Sequence, residues 1–234
     1  MKVKAKLEKV KPKSFMIDYL ESCGVVNPNK YLKTTPKDLE STDKYLNIFE
    51  ACNAIHRGIE ENKKFGILVD CDVDGYSSAA IAYMFLKSQG IEPIIYHHNG
   101  KQHGIHTDEN FVDKFLFDDL DIIWIPDAGS NDISECRELQ EAGITVIVTD
   151  HHEIEKENPY AIIVNNVMGN VNNVSLSGAG VTAKVVEHYC SLYGIEKQDY
   201  NDLIAFSLIS DSCDMTKIEN RAIYDIVWRN KIRE

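Results

Sequence analysis

The sequence predicts an α/β protein on a doubly wound, mainly parallel five-stranded sheet, with helical segments at both ends. Three observations predict it. Five short apolar runs, at 66–70 (GILVD), 91–96 (IEPIIY), 121–127 (DIIWIPD), 144–150 (ITVIVTD) and 161–165 (AIIVN), carry Ile and Val without polar alternation. Strands buried on both faces of a parallel sheet require that pattern. Helical segments at 76–89, 108–117 and 132–142 alternate with the first four runs, and Gly90 and Gly143 close two of them. Alternation of this kind builds right-handed crossovers and a doubly wound sheet.

Taken in order, residues 1–14 alternate Lys with small apolar residues and read as a basic arm. Residues 15–63 read as helical, with turns at 26–30 (VNPNK) and 34–36. Within them Tyr45, Ile48, Phe49, Cys52, Ile55 and Ile59 recur at helical spacing and form one apolar face. Three further helices are expected near 179–193, 199–209 and 219–231. This divides the chain into an arm with core-packing helices at 1–63 and an α/β domain at 64–234. The last residues, AIYDIVWRNKIRE, break off within a helical pattern, so the expectation is a piece of a longer protein.

Composition bounds the function. The 234 residues are 44% apolar, 26% charged and 9% aromatic, as in a soluble globular protein of one or two domains. No apolar run approaches the ~20 residues of a membrane span, and the start lacks a signal-peptide core. A cytoplasmic protein with no membrane partner is expected. The six cysteines contain no CxxC pair, which excludes zinc-ribbon and thioredoxin chemistry and leaves them as small core residues. A formal charge of −12 disfavours nucleic-acid binding by bulk electrostatics, but carboxylates gathered round divalent cations are neutralised by them.

The acids stand where an open parallel sheet binds ligands, beyond the carboxyl ends of its strands. The first strand ends in Asp70-Cys71-Asp72-Val73-Asp74-Gly75, the third in Asp127-Ala128-Gly129, the fourth in Asp150-His151-His152. Carboxylates crowded at one site take up protons unless cations hold them. An oxygen-rich set with one or two imidazoles suits Mn²⁺ or Mg²⁺, and a cluster of this size has room for two ions. If extended, D-x-D-x-D would put Asp70, Asp72 and Asp74 on one side and Cys71 on the other, with Gly75 letting the chain turn into the helix. Helix capping is the competing role for Asp74 or Asp127. Gly178 and Gly180 in SLSGAGVTAK would let backbone amides approach a phosphate at a helix start, or serve a tight turn. Lys184 faces either that phosphate or solvent. Neither a GxSxG nucleophile nor a P-loop is present.

DCDVDG, PDAG, TDHH and SGAG together resemble the DHH phosphoesterase superfamily, and their order and spacing resemble its RecJ branch. The likeness extends to residues 19–42 and to ISDSCDMTKIENR at 209–221, so it covers nearly all the chain from about residue 15. It implies that 64–234 is a DHH catalytic domain whose partner domain lies outside this chain. It further implies two Mn²⁺ or Mg²⁺ ions, one on Asp70 and Asp72 and the other on Asp74. Asp127 would bridge them, and His151 and Asp211 would complete the cluster. His152 would face the scissile phosphate, and Asp150 would orient the histidines.

The loop HHNGKQHGIH departs from the branch, with Lys101, His103 and Gly104 where Arg and Gly-Tyr-Gly features are usual. Among these, His103 is the candidate phosphate contact, while His97 and His98 read as solvated. The resemblance implies a 5′-to-3′ exonuclease acting on single-stranded DNA, with replication or repair proteins such as a single-strand-binding protein as further partners. Two alternatives stand beside it: a phosphodiesterase of short oligonucleotides or cyclic dinucleotides, and a non-catalytic replication scaffold. Retention of every acid and histidine of the motifs speaks against the scaffold.

Overall fold

Five strands form one sheet in which every pairing is parallel, in the order β2-β1-β3-β4-β5. They are β1 (Phe65–Val69), β2 (Ile94–His97), β3 (Ile122–Pro126), β4 (Thr145–Asp150) and β5 (Ile162–Asn165). The computed structural model describes residues 15–98, 103–108 and 110–231. The expected basic arm at 1–14 and Lys101 lie outside them.

Helices cover both faces of the sheet. Side chains alternate along each strand, so Phe65, Ile67, Val69, Trp124, Ile147 and Val164 meet one layer while Leu68, Ile123, Ile125, Val146, Val148 and Ile163 meet the other. The first layer contains α3 (Ile48–Glu60), α4 (Val73–Ser88), α7 (Gly178–Tyr193) and α8 (Asn201–Ser210). The second is built from α5 (Asn110–Phe117) and α6 (Ile133–Glu141). Among the described residues no helix is long and apolar enough to cross a membrane.

Two readings of the amino-terminal region are corrected. The VNPNK turn holds a short helix, α2 (Pro28–Tyr31), following α1 (Phe15–Ser22): Pro28 sits at its start and Asn27 Oδ1 accepts the Lys30 N–H at 3.1 Å. The buried face of α3 is Ile48, Ala51, Cys52 and Ile55, whereas Phe49 is 58% exposed. Tyr45 is buried but lies ahead of the helix.

Polar contacts stitch residues 31–44 to the last helix, α9 (Ile218–Lys231). Glu219 accepts the Glu40 N–H at 2.8 Å and an Asn173 Nδ2–H at 3.0 Å. Thr34 Oγ1 donates to Asp225 at 2.6 Å, and the Arg221 guanidinium lies 5.1 Å from the centre of the Tyr31 ring.

The order 2-1-3-4-5 reverses direction between β1 and β3, and the crevice beyond that reversal is where such sheets bind ligands. Asp70 and Asp127 follow those two strands.

Candidate metal centre

After Val69 the chain does not stay extended, and this changes the reading of D-x-D-x-D. Asp72 caps α4, its Oδ1 accepting the Gly75 N–H at 3.0 Å, and Asp74 lies in the first helical turn. Gly75 is needed for contact rather than for turning, since a Cβ there would lie 2.5 Å from the Asp70 Cβ.

Asp74 is buried and held from four sides. Its carboxylate accepts the Gly178 and Ala179 N–H groups at 2.8 Å each, the Ser207 hydroxyl at 2.7 Å and the Ser78 hydroxyl at 3.2 Å. The Gly178 and Ala179 amides at the start of α7 thus serve a carboxylate, whose charge the helix N-terminus favours, a use that neither reading of the segment, phosphate contact or tight turn, foresaw.

Asp127 takes the left-handed backbone conformation, φ 70°, and its N–H donates to the Thr149 carbonyl at 2.8 Å. Its side chain leans on Gly178, where a Cβ would stand 2.1 Å from Oδ1. Gly178 is there to make room for an acid. Gly180 makes room for Leu176, 2.4 Å from a Cβ at that position.

His151 joins the elements. Its Nε2 is 3.3 Å from Asp127 Oδ1 and 3.7 Å from both Asp74 Oδ2 and Asp211 Oδ2. A second set, Asp70, Asp72 and Asp127, offers oxygens within 4.8 Å of one another. Asp127 belongs to both groupings. Asp70 Oδ1 and Asp127 Oδ1 are buried with no hydrogen-bond partner. Burial raises the pKa of Asp70, despite the opposing hydrogen bond of His103. Burial and then the charge of Asp74 push Asp127 far above the usual carboxylate range. Buried acids with orphaned oxygens converging on one imidazole fit a hard divalent cation, because a cation supplies the missing partner and removes the repulsion.

Asp150 occupies a different position. One oxygen accepts the His151 and His152 backbone N–H groups at 2.7 and 3.1 Å and the His152 Nδ1–H at 2.7 Å. The other accepts the Ser130 N–H at 3.2 Å. Burial works against its charge, but His152 and Ser130 prevail and hold its carboxyl below the ordinary range. The Asp150 hydrogen bond in turn raises His152 to about 9, so its half-exposed ring is cationic at neutral pH. That leaves Nε2–H directed elsewhere than Asp150.

The remaining candidates divide between the site and the far layer. Lys184 faces neither phosphate nor open solvent. It is buried on the far side of α7, paired with Glu219 at 2.7 Å and donating to the Glu40 carbonyl. His103 hydrogen-bonds Asp70 through Nδ1 at 2.5 Å, and it lines a groove with His106, Gly129, Ser130, Asn131 and His152. His98 is not merely solvated, because its ring packs edge-on against Phe111. Sequence reasoning missed Ser207, Ser130 and the His106–Asp132 pair, since lone serines in unremarkable contexts give no signal of what they touch.

A doubly wound sheet carrying this acid–histidine cluster at its switch point defines the class. The chain belongs to the DHH family: the pattern described as "DHH family, N-terminal domain" matches residues 64–208. Among curated proteins it is 33% identical over 206 residues to the putative SPbeta prophage-derived single-strand DNA-specific exonuclease YorK of Bacillus subtilis, covering 86% of this chain and 35% of the relative. It is 28% identical over 165 residues to the single-stranded-DNA-specific exonuclease RecJ of Thermus thermophilus, covering 69% of this chain and 24% of that one. The crystal structure of RecJ in complex with Mn²⁺ from Thermus thermophilus superposes with a TM-score of 0.67 at 25% identity, over 76% of this chain and 26% of that one. This chain therefore spans about a third or less of the length of these relatives.

Proposed function

We propose that this chain is the metal-binding portion of a single-strand-specific DNA exonuclease that hydrolyses phosphodiesters from the 5′ end, the polarity its resemblance to RecJ implies. The carrying observation is the meeting of His151 with Asp74, Asp127 and Asp211 beside the Asp70–Asp72–Asp127 set. Asp74, Asp127, His151 and Asp211 would hold one Mn²⁺ or Mg²⁺ ion, and Asp70, Asp72 and Asp127 a second. When bound, such ions supply Lewis acidity, lowering the pKa of water and stabilising charge on an attacked phosphate.

The chain's own groups do the rest. Asp150 fixes the His152 ring through Nδ1–H, which leaves Nε2–H to donate to a phosphate oxygen. The positive charge that Asp150 favours on His152 would stabilise the more negative transition state over the substrate. The His103–His106–His152 groove supplies donors for the neighbouring phosphate of a strand.

The test is a gel assay on protein containing this chain, with Mn²⁺ and three substrates: a long 5′-phosphorylated single strand, a blunt duplex and the dinucleotide pApA. Progressive shortening of the single strand with the duplex intact is expected. Rapid cleavage of pApA beside an untouched long strand would overturn the reading in favour of an oligonucleotide phosphodiesterase. Bound metal with no cleavage of any substrate would favour a scaffold.

A further inference from the structure

Two buried carboxylates of the groove hold a histidine in the same way. Asp150 accepts the His152 Nδ1–H at 2.7 Å, and Asp132 accepts the Nδ1–H of His106. Asp132 is 3% exposed and the His106 side chain 59%. Both imidazoles line the one groove.

Asp132 stands at the N-cap of α6, yet its side chain makes no cap hydrogen bond. It is spent on the opposite loop instead. Besides His106, it accepts the Ile105 N–H at 2.6 Å, and a Cβ at Gly104 would lie 2.6 Å from that same Oδ2. Ile105 is fully buried in the second layer, which pins the turn Ile105–Thr107 beneath the exposed ring. Resting on the exonuclease reading, we infer that Asp132 positions His106 to grip the phosphate next to the scissile one, so that the site measures its strand by two phosphates rather than one.

The ring chemistry suits an anion. With Nδ1–H given to Asp132, the outward nitrogen is Nε2, which donates to a phosphate oxygen when it too carries a proton. Burial raises the Asp132 carboxyl, against the Ile105 N–H and His106, and a carboxylate out of water favours a cation beside it. A phosphate at Nε2 favours the same doubly protonated ring from the other side, and both hydrogen bonds are then charge-assisted. Neither Asp132 nor His106 belongs to the groups able to hold a cation, so their loss should weaken the hold on the strand rather than the hydrolysis.

The test uses protein containing this chain, Mn²⁺ and short 5′-phosphorylated single strands, each with one methylphosphonate, a neutral linkage lacking the anionic oxygen. KM and kcat are read for removal of the first nucleotide. On the unmodified strand, His106→Ala should raise KM ~10-fold and leave kcat within ~2-fold, the split expected of a bond made alike to substrate and transition state. Asp132→Asn keeps an oxygen for the Ile105 N–H but turns an N–H toward His106 Nδ1. The ring then donates from Nε2 without charge, so KM should rise less, by ~3-fold. A methylphosphonate next to the scissile linkage should raise the wild-type KM ~10-fold and that of His106→Ala no further. At the other uncleaved linkages the two penalties should multiply. Penalties that multiply at every linkage would overturn the assignment, as would an unchanged KM in His106→Ala. A loop-anchoring role alone for Asp132 would show no such dependence on linkage. Wild-type protein that shortens no strand would sink the exonuclease reading and this assignment together, whereas wild-type cleavage with penalties that multiply throughout would sink this assignment alone.

Discussion

Gly178→Ala adds one methyl group and should cripple cation binding. Its Cβ would lie 2.1 Å from Asp127 Oδ1, 2.7 Å from Cγ and 2.8 Å from Cβ. Contacts under 3.0 Å are essentially never seen, so Oδ1 must retreat by at least 0.9 Å. Rotating the carboxylate alone does not suffice, because the Asp127 Cβ is itself too near and the backbone at φ 70° has little room to yield. Metal–oxygen bonds of about 2.0–2.2 Å do not survive a shift of that size. Overpacking costs ~1–3 kcal/mol, offset by at most ~1 kcal/mol of improved helix propensity. The cation-free variant should therefore lose no more than ~3 kcal/mol and remain folded, while Mn²⁺ affinity drops more than ~10-fold, or ~1.4 kcal/mol. Titration calorimetry reads the second quantity and urea unfolding with chelator the first. Gly180→Ala is the control: its Cβ meets only Leu176, so it should lower stability and spare Mn²⁺ affinity. A folded Gly178→Ala chain that binds Mn²⁺ like wild type would refute the reasoning.

Three further outcomes are expected. Asp127→Asn should raise the melting temperature of the cation-free chain at neutral pH while abolishing the rise on adding Mn²⁺. The sign follows from a folded pKa raised by burial and by Asp74: any stabilisation from this group is complete below its ordinary value of 3.8 and lost as pH rises through the folded value. The His152–Asp150 pair should stabilise fully between the ordinary Asp value of 3.8 and about pH 6.5, and lose its contribution as pH rises through about 9 or falls below 3.8, slopes that calorimetric melts should find missing in Asp150→Asn. Lys184→Met should cost ~3–5 kcal/mol in urea unfolding by stranding the buried Glu219 charge, and it should leave the KM for DNA unchanged.

The strands were readable because a parallel sheet buried on both faces demands unbroken Ile and Val, and β3 and β4 match that demand. The placing of Asp70, Asp127 and His151 at one crevice was readable too, since strand ends and sheet topology fix it. Three things were not. Where β1 gives way to α4 depends on the cap made by Asp72: the helix begins at Val73, three residues before the expected 76, so D-x-D-x-D is not one extended run. The use of the α7 amides depends on Asp74, 104 residues earlier. The Lys184 partner is 35 residues later on another helix, and local pattern carries no trace of it.

The tie between residues 31–44 and α9 bears on the order in which the protein can be made. Tyr31, Thr34 and Glu40 leave the ribosome well before their partners Arg221, Asp225 and Glu219, which are translated nearly 200 residues afterwards. Until then the segment lacks these partners, and Lys184, already synthesised, would bury a charge without its counterion. Folding of this layer thus waits for α9 and is not begun by the segment at 31–44. The candidate cluster follows the same order, because Asp211, which meets His151 and Asp74, is made only just ahead of that helix.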